Sequence, residues 1–194
     1  KVTHIASRGL REGVSGVNKW SIDPIEVIND PEVDILVETI GGLDTAFEVV
    51  KKALLVGKDV VTANKALIAT HGNELLNLAS KNGVRLLFES AVAGGIPILK
   101  SLREGLAANN IDWLAGIING TGNYILTEMG NRQRLFSDVL REAQELGYAE
   151  ADPSFDIEGT DAAHKLAIMA SIAFGMPLAF NKTYIEGISS LELD

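Results

Sequence analysis

The sequence predicts an α/β protein: an open, doubly wound parallel sheet in its first half, followed by a second region of α+β character. Three observations carry that expectation. Short apolar stretches alternate with helix-like ones from Val2 to Phe88, the βαβα rhythm of a parallel sheet. Val33 to Ile40 (VDILVETI) is a nearly continuous apolar run, as expected of a strand buried on both faces. The rhythm changes near residues 90–95, which places a domain boundary between 1–90 and 91–194.

The elements follow in order. Val2 to Ala6 reads as an opening strand that ends in Ser7-Arg8-Gly9. Gly41 and Gly42 follow the Val33–Ile40 strand, and Asp44 is a candidate N-cap for a helix. That helix carries Phe47, Val50, Ala53 and Leu54 on one stripe and stops at Gly57. Val60-Val61 opens a short strand running into Thr62-Ala63-Asn64-Lys65. A second helix carries Leu67, Leu75, Leu76, Leu78 and Ala79, ends at Asn82-Gly83, and leads to a strand from Val84 to Phe88. In the second region, Ala93-Gly94-Gly95-Ile96-Pro97 is a turn into a helix, with Pro97 in its first turn. Ile111 to Ile118 reads as a strand and Asn119-Gly120-Thr121-Gly122-Asn123 as a polar glycine turn. Helices from about Phe136 to Leu146 and from about Glu158 to Phe174 come next, then a strand from Tyr184 to Ile188.

Composition narrows the function. With 194 residues, 46% of them hydrophobic, the chain can bury a core, which excludes disorder. A net charge of -9 argues against a nucleic-acid partner. The absence of Cys excludes a disulfide scaffold, a thiolate zinc site and a cysteine nucleophile. No apolar run approaches the roughly 20 residues that span a bilayer, and no signal peptide is expected. The expectation is a soluble, cytoplasmic protein with no membrane partner. His4, His71 and His164 form no metal-ligand spacing, Ser90 has no G-x-S-x-G context, and Tyr184 reads as packing. Gly9, Gly13 and Gly16 lack the G-x-G-x-x-G spacing of a dinucleotide turn.

The densest polar segment runs from Gly147 to Lys165 and holds five carboxylates. Asp152-Pro153 signals a turn, and Asp156 is a candidate cap for the following helix. Asp161 and Lys165 are four apart and share one helix face. On spacing alone this is an ordinary capped helix with an ion pair worth ~0.3–0.5 kcal/mol. The functional alternative is a site whose carboxylates hold a substrate ammonium while Lys165 moves a proton. A lysine near its ordinary pKa of ~10.4 is a poor acid–base catalyst, so burial or a second cation must lower it. Lys65, just after a strand at the sheet end where open α/β folds bind ligands, is the candidate second cation. On its own it reads equally as a solvated lysine at a helix start. The Asn119–Asn123 turn offers N–H groups and hydroxyls to a carboxylate or amide, and Gly94-Gly95 could let carbonyls converge on a hard cation.

The run A-x3-G-Y-x3-D-P-x2-D-I-x-G-x-D-x3-K, from Ala143 to Lys165, resembles the signature segment of homoserine dehydrogenases. ILVETIGG (35–42), VVTANKALIA (60–69), ESAVAGGIPIL (89–99), IINGTGNYIL (117–126) and TYIEGISSL (183–191) resemble further family segments in the expected order. The resemblance implies a partial Rossmann-type domain over 1–90 and an α+β catalytic and dimerisation domain over 91–194. It also implies a chain that begins after the glycine-rich first βα unit and ends before the catalytic domain does.

The implied activity is interconversion of L-homoserine and L-aspartate 4-semialdehyde, on the route to threonine, methionine and isoleucine. Lys165 matches the family lysine that gives the alcohol its proton. Lys65 matches a second lysine at the same centre, and repulsion between the two lowers the pKa of one. Glu150 and Asp161 match substrate-binding carboxylates, with Asp156 a further candidate, and Gly120 and Thr121 match the turn that faces substrate and nicotinamide. Gly41, Gly42, Lys65 and Arg8 fall on the cofactor side. An arginine after the opening strand favours the 2'-phosphate of NADP through charge-assisted hydrogen bonds, so NADP is expected in preference to NAD. The backbone carbonyls of Glu89, Val92, Gly94 and Ile96 match a structural sodium site. The implied partner is a second copy of the chain in a homodimer. Two alternatives stay open: a non-catalytic oligomerisation or ligand-binding fragment, and the dehydrogenase part of a bifunctional aspartokinase–homoserine dehydrogenase.

Overall fold

A computed structural model describes residues 1–9, 16, 17 and 19–192, so Gly13 lies outside the described residues. The chain divides into two units, Lys1–Ser101 and Leu102–Asp194. No helix among the described residues is long and apolar enough to cross a membrane.

Parallel pairing organises the first unit. The strand β1 (His4–Ala6) pairs with β2 (Lys19–Ser21), and α1 (Pro24–Asn29) packs on both. A separate sheet has the parallel order β3 (Ile35–Glu38), β4 (Asp59–Thr62), β5 (Leu86–Leu87). Helices make its crossovers, α2 (Asp44–Leu55) from β3 to β4 and α3 (Lys65–Asn82) from β4 to β5. The α/β class with parallel strands is thus what the chain builds. Neither β2 nor α1 is expected from the periodicity, because at three and six residues they are too short to display a period.

Burial corrects the expected stripes in detail. The helix α2 buries Ala46, Val49, Val50, Ala53 and Leu54, while the Phe47 ring stacks on His71 of α3 with centroids 4.4 Å apart. Leu43 rather than Asp44 is its N-cap; Asp44 is the first helical residue, where a negative charge favours the helix dipole. In α3, Leu67, Ile68, Leu75 and Ala79 face inward but Leu76 is exposed. Asn64 caps this helix, and Gly83 ends it in the left-handed region at φ 68°. The strand β3 is not buried on both faces. Leu36 and Glu38 point inward, whereas Ile35 and Val37 are 52% and 64% exposed. A carboxylate therefore occupies an inward position of the sheet.

The second unit is built from helices. The chain enters it through α4 (Ile98–Lys100) and a turn of π-helical pitch over Ser101–Gly105. There follow α5 (Gly120–Arg132), α6 (Phe136–Glu145), α7 (Ser154–Ile157) and α8 (Thr160–Phe174). Ile125 and Met129 of α5 meet Val139 and Ala143 of α6 in a core closed by Ala149, Ile157 and Ile188. Each fully buried aliphatic side chain there contributes about 1.5–3 kcal/mol.

Two expected strands do not form. Neither Ile111–Ile118 nor Tyr184–Ile188 pairs in a sheet among the described residues, and a strand without a ladder partner has no hydrogen-bonding basis. Trp113, Ile117 and Tyr184 are 76%, 81% and 83% exposed, so Tyr184 is not packing either. The segment docks by other means. Ile188 N–H donates to Ile157 O at 2.8 Å, and a Cβ on Gly187 would lie 3.0 Å from that same carbonyl.

Candidate functional site

The polar turn read at Asn119–Asn123 is in fact the first turn of α5. Asn119 caps it, its Oδ1 accepting from Gly122 N–H at 2.7 Å. Because a backbone N–H can only donate, that bond fixes the amide orientation, and Nδ2 points the other way. It donates to Asp156 Oδ1 at 2.7 Å and to Asp161 Oδ2 at 2.9 Å. Asp161 and Lys165 occupy successive turns of α8. Lys165 Nζ donates to Asp161 Oδ2 at 2.6 Å and to the Ile118 carbonyl at 2.7 Å. The expected i,i+4 pairing therefore exists in a partly dehydrated setting, the side chains being 17% and 5% exposed. Removing one partner of such a pair strands the other charge.

Thr121 and Asp156 join this cluster. Thr121 Oγ1 lies 2.8 Å from Tyr148 O and 3.1 Å from Asp156 Oδ2, so its one proton serves either acceptor. Asp156 does not cap α8, contrary to the expectation from its position in the sequence. It lies within α7, its carboxylate turned to Asn119 and Thr121, and the N-cap of α8 is Gly159 at φ 82°. Gly120 is the first residue of α5. Glu150 is exposed on the loop between α6 and α7, where its carbonyl accepts from Gln144 Nε2 at 3.1 Å. Its carboxylate is not among the groups bonded in the cluster.

The candidate cofactor residues of the first unit cluster at the carboxyl ends of β3 and β4. Gly41 and Gly42 are consecutive left-handed residues, at φ 76° and 70°, in a turn with open space where side chains would stand. Asn64 Nδ2 donates to Gly42 O at 2.7 Å, and its Oδ1 accepts from Leu67 N–H at 3.0 Å. Lys65 is the first residue of the capped helix and is half-buried. This edge of a parallel sheet, with an accessible main-chain turn beside a helix start, fits one side of a dinucleotide. Arg8 is exposed just beyond β1.

The carbonyl set at Glu89, Val92, Gly94 and Ile96 lies on a curled segment. Ala93 and Gly95 have φ of 49° and 86°, and Ile96 N–H donates to Ala93 O at 2.8 Å. Glu89 O and Ile96 O each accept one backbone N–H, which leaves each a lone pair. Neutral carbonyl oxygens without a carboxylate are donors suited to a hard monovalent cation. The Glu89 side chain is otherwise engaged, its Oε1 accepting from Leu99 N–H at 2.9 Å.

Two contributors escape sequence reasoning: the Asn119 side chain and the Ile118 carbonyl. An asparagine ahead of the Ile125 and Met129 spacing is a cap signal, but Gly120 and Gly122 lower helix propensity and mask it.

Residues 97–194 match the family model described as homoserine dehydrogenase, and residues 18–89 match that of the homoserine dehydrogenase NAD binding domain. The chain is 62% identical over 177 residues to a homoserine dehydrogenase of Pseudomonas aeruginosa, covering 91% of this chain and 41% of that protein. It superposes on the crystal structure of a homoserine dehydrogenase from Thiobacillus denitrificans with a TM-score of 0.94 at 57% identity, covering 98% of this chain and 45% of that one. A hyperthermophilic archaeal homoserine dehydrogenase in complex with NADPH gives 0.79 at 35% identity, covering 92% and 55%. The chain spans about two fifths of the length of the curated relatives it matches.

Proposed function

The chain belongs to the homoserine dehydrogenase family, and we propose that its protein interconverts L-homoserine and L-aspartate 4-semialdehyde with a nicotinamide cofactor. The observation that carries this reading is the Asp161–Lys165 pair, held between Asn119 and the Ile118 carbonyl inside the family's signature run. When bound, a nicotinamide would supply the hydride chemistry at the aldehyde carbon, in either direction. The residues of the chain manage the proton. Asp161 and Ile118 O occupy two of the three Lys165 ammonium protons, and the third passes to the carbonyl oxygen as it becomes the homoserine hydroxyl. Water then restores the lysine proton. Lys65 is assigned to the same reaction as the second lysine.

Glu150 is assigned the substrate α-ammonium, Asp156 and Asp161 the polar wall beside it, and Gly120 and Thr121 the turn that meets substrate and nicotinamide. Arg8 is assigned the 2'-phosphate of NADP, which makes NADP preferred over NAD, and the Gly41–Gly42 turn and Lys65 the adjoining cofactor surface. The carbonyls of Glu89, Val92, Gly94 and Ile96 are assigned a structural sodium ion. The proposed setting is cytoplasmic synthesis of threonine, methionine and isoleucine. The exposed Trp113, Ile117 and Tyr184 support a homodimer through the second unit.

The test is homoserine-dependent reduction of NADP by the intact protein; no such reduction overturns the reading. Lys165→Ala is expected to lower kcat at least ~10²-fold with little change in KM, the scale of a lost general acid. Near-normal turnover would remove Lys165 from the role.

A further inference from the structure

We propose that Glu38 is a positioning residue of the cofactor half: one buried carboxylate fixes both the Gly41–Gly42 turn and the start of α3, and with it Lys65. The cofactor part of this inference rests on the function proposed above.

Glu38 sits where the alternation of β3 calls for an apolar side chain. Leu36, two residues earlier on the same face, is 6% exposed, and Glu38 is 1% exposed. Burying an acid is costly unless its oxygens find donors, so a residue serving packing alone would be aliphatic here. The donors are present, and all three are neutral. Oε1 accepts from Ile40 N–H at 2.6 Å and Gly41 N–H at 3.1 Å, and Oε2 from the Thr62 hydroxyl at 2.5 Å.

The bonds continue into a ring. Thr62 Oγ1 accepts from Asn64 N–H at 2.9 Å, and Asn64 Nδ2 donates to Gly42 O at 2.7 Å. The ring therefore passes from the turn after β3, through Glu38 and Thr62, to the turn after β4, and back through Asn64. Asn64 Oδ1 meanwhile caps α3 through Leu67 N–H, which sets the backbone position of Lys65. Gly41 and Gly42 hold left-handed φ values with no side chain of their own to enforce them. The carboxylate supplies that enforcement from below. A turn shaped in advance loses less conformational freedom when a ligand meets it.

Glu38→Ala, Glu38→Gln and Thr62→Val in the intact protein test the proposal by two readouts. The first is amide hydrogen exchange without cofactor. Ile40 and Gly41 are exposed residues, yet their amides are expected to exchange slowly in the wild type. In Glu38→Ala they should exchange at least ~10-fold faster, with the Asn64 and Leu67 amides accelerating alongside them. The second is NADPH affinity, measured well below each variant's unfolding temperature. It should weaken at least ~10-fold in Glu38→Ala and less in Glu38→Gln, which keeps the acceptor for both amides. The Glu38→Gln/Thr62→Val double variant should be no weaker than the weaker single one, since the bond that Glu38→Gln disturbs is one of the two that Thr62→Val removes.

Unchanged exchange at Ile40 and Gly41 overturns the clasp. Faster exchange with unaltered NADPH affinity overturns the positioning role. A wild type that binds no NADPH overturns the proposed function and the cofactor role together, while the exchange data still judge the clasp alone. If Glu38→Ala fails to fold, exchange and affinity in the Gln and Val variants decide both points in its place.

Discussion

The polar cluster of the first unit and that of the second handle buried acids in opposite ways. Around Glu38 a single carboxylate is met by neutral donors, two of them main-chain amides, and what it fixes is the course of the backbone. Around Asp161 two carboxylates, one side-chain amide and an ammonium balance one another, and what they fix is the location of a charge. The difference teaches where damage should appear. Substitutions in the first cluster should show in turn geometry and cofactor affinity. Those in the second should show in turnover.

Asn119 offers the largest contrast. Its amide is the only neutral group that donates to both Asp156 and Asp161 in the hydrogen bonds described above. Asn119→Asp keeps an oxygen for Gly122 N–H but sets a third carboxylate against the other two, where like charges repel. Asp161 and Lys165 should shift, and a misplacement of about 1 Å costs on the order of 10²-fold in kcat. Asn119→Ala removes the cap, worth about 1 kcal/mol, and should reduce kcat less because it adds no charge. Steady-state kinetics on the two variants decides the point. Equal kcat for Asn119→Asp and wild type would mean that the cluster does not hold Lys165 by charge.

Two glycines carry the contrast into stability. A Cβ on Gly187 would lie 3.0 Å from both Ile157 O and the Glu158 Cα, backbone atoms that cannot swing aside. A Cβ on Gly41 would meet nothing within 4 Å, so only its φ of 76° resists substitution. Gly187→Ala should therefore lose about 1–3 kcal/mol through overpacking. Gly41→Ala should lose about 1–2 kcal/mol through backbone strain alone. Urea unfolding measures both. An unchanged midpoint for Gly187→Ala would show that the segment after Thr183 does not bear on the Ile157–Gly159 turn.

What could be read from the sequence follows the range of each interaction. The stripes of α2, and the sharing of one face by Asp161 and Lys165, are local periodicities that twelve or fifteen residues suffice to show. Asn119 reaches acids 37 and 42 residues away, and no spacing rule reports a contact of that span. Glu38 was hidden differently. VDILVETI reads as a nearly continuous apolar run, and only the sheet shows that its acid lies on the inward face beside Leu36. The strand expected over Ile111–Ile118 failed because local apolarity cannot supply a partner strand. The resemblance in the Ala143–Lys165 run singled out Asp156, Asp161 and Lys165, which the fold brings together, and Glu150, whose carboxylate lies outside that cluster.

The smallest expected effect concerns another acid of the first unit, held by a main-chain amide and an ammonium together. Asp30 accepts from Glu32 N–H at 3.0 Å and from Lys19 Nζ at 3.0 Å, and His4 Nδ1 lies 2.9 Å away. The Glu32 amide first, then the Lys19 ammonium, hold its pKa down at about 2 from an ordinary 3.8. A depressed folded value stabilises the protein wherever the unfolded chain would bind the proton more readily. That contribution is complete above about pH 5 and is lost as pH falls toward 2. Asp30→Asn should thus lower the urea midpoint modestly at neutral pH and flatten its decline on acidification. The decline should persist in part, because Asp59 beside Arg85 and Glu142 beside Arg134 are also depressed. An Asp30→Asn profile parallel to wild type between pH 5 and 2 would show that the Glu32 amide and the Lys19 ammonium do not hold Asp30 in its ionised form.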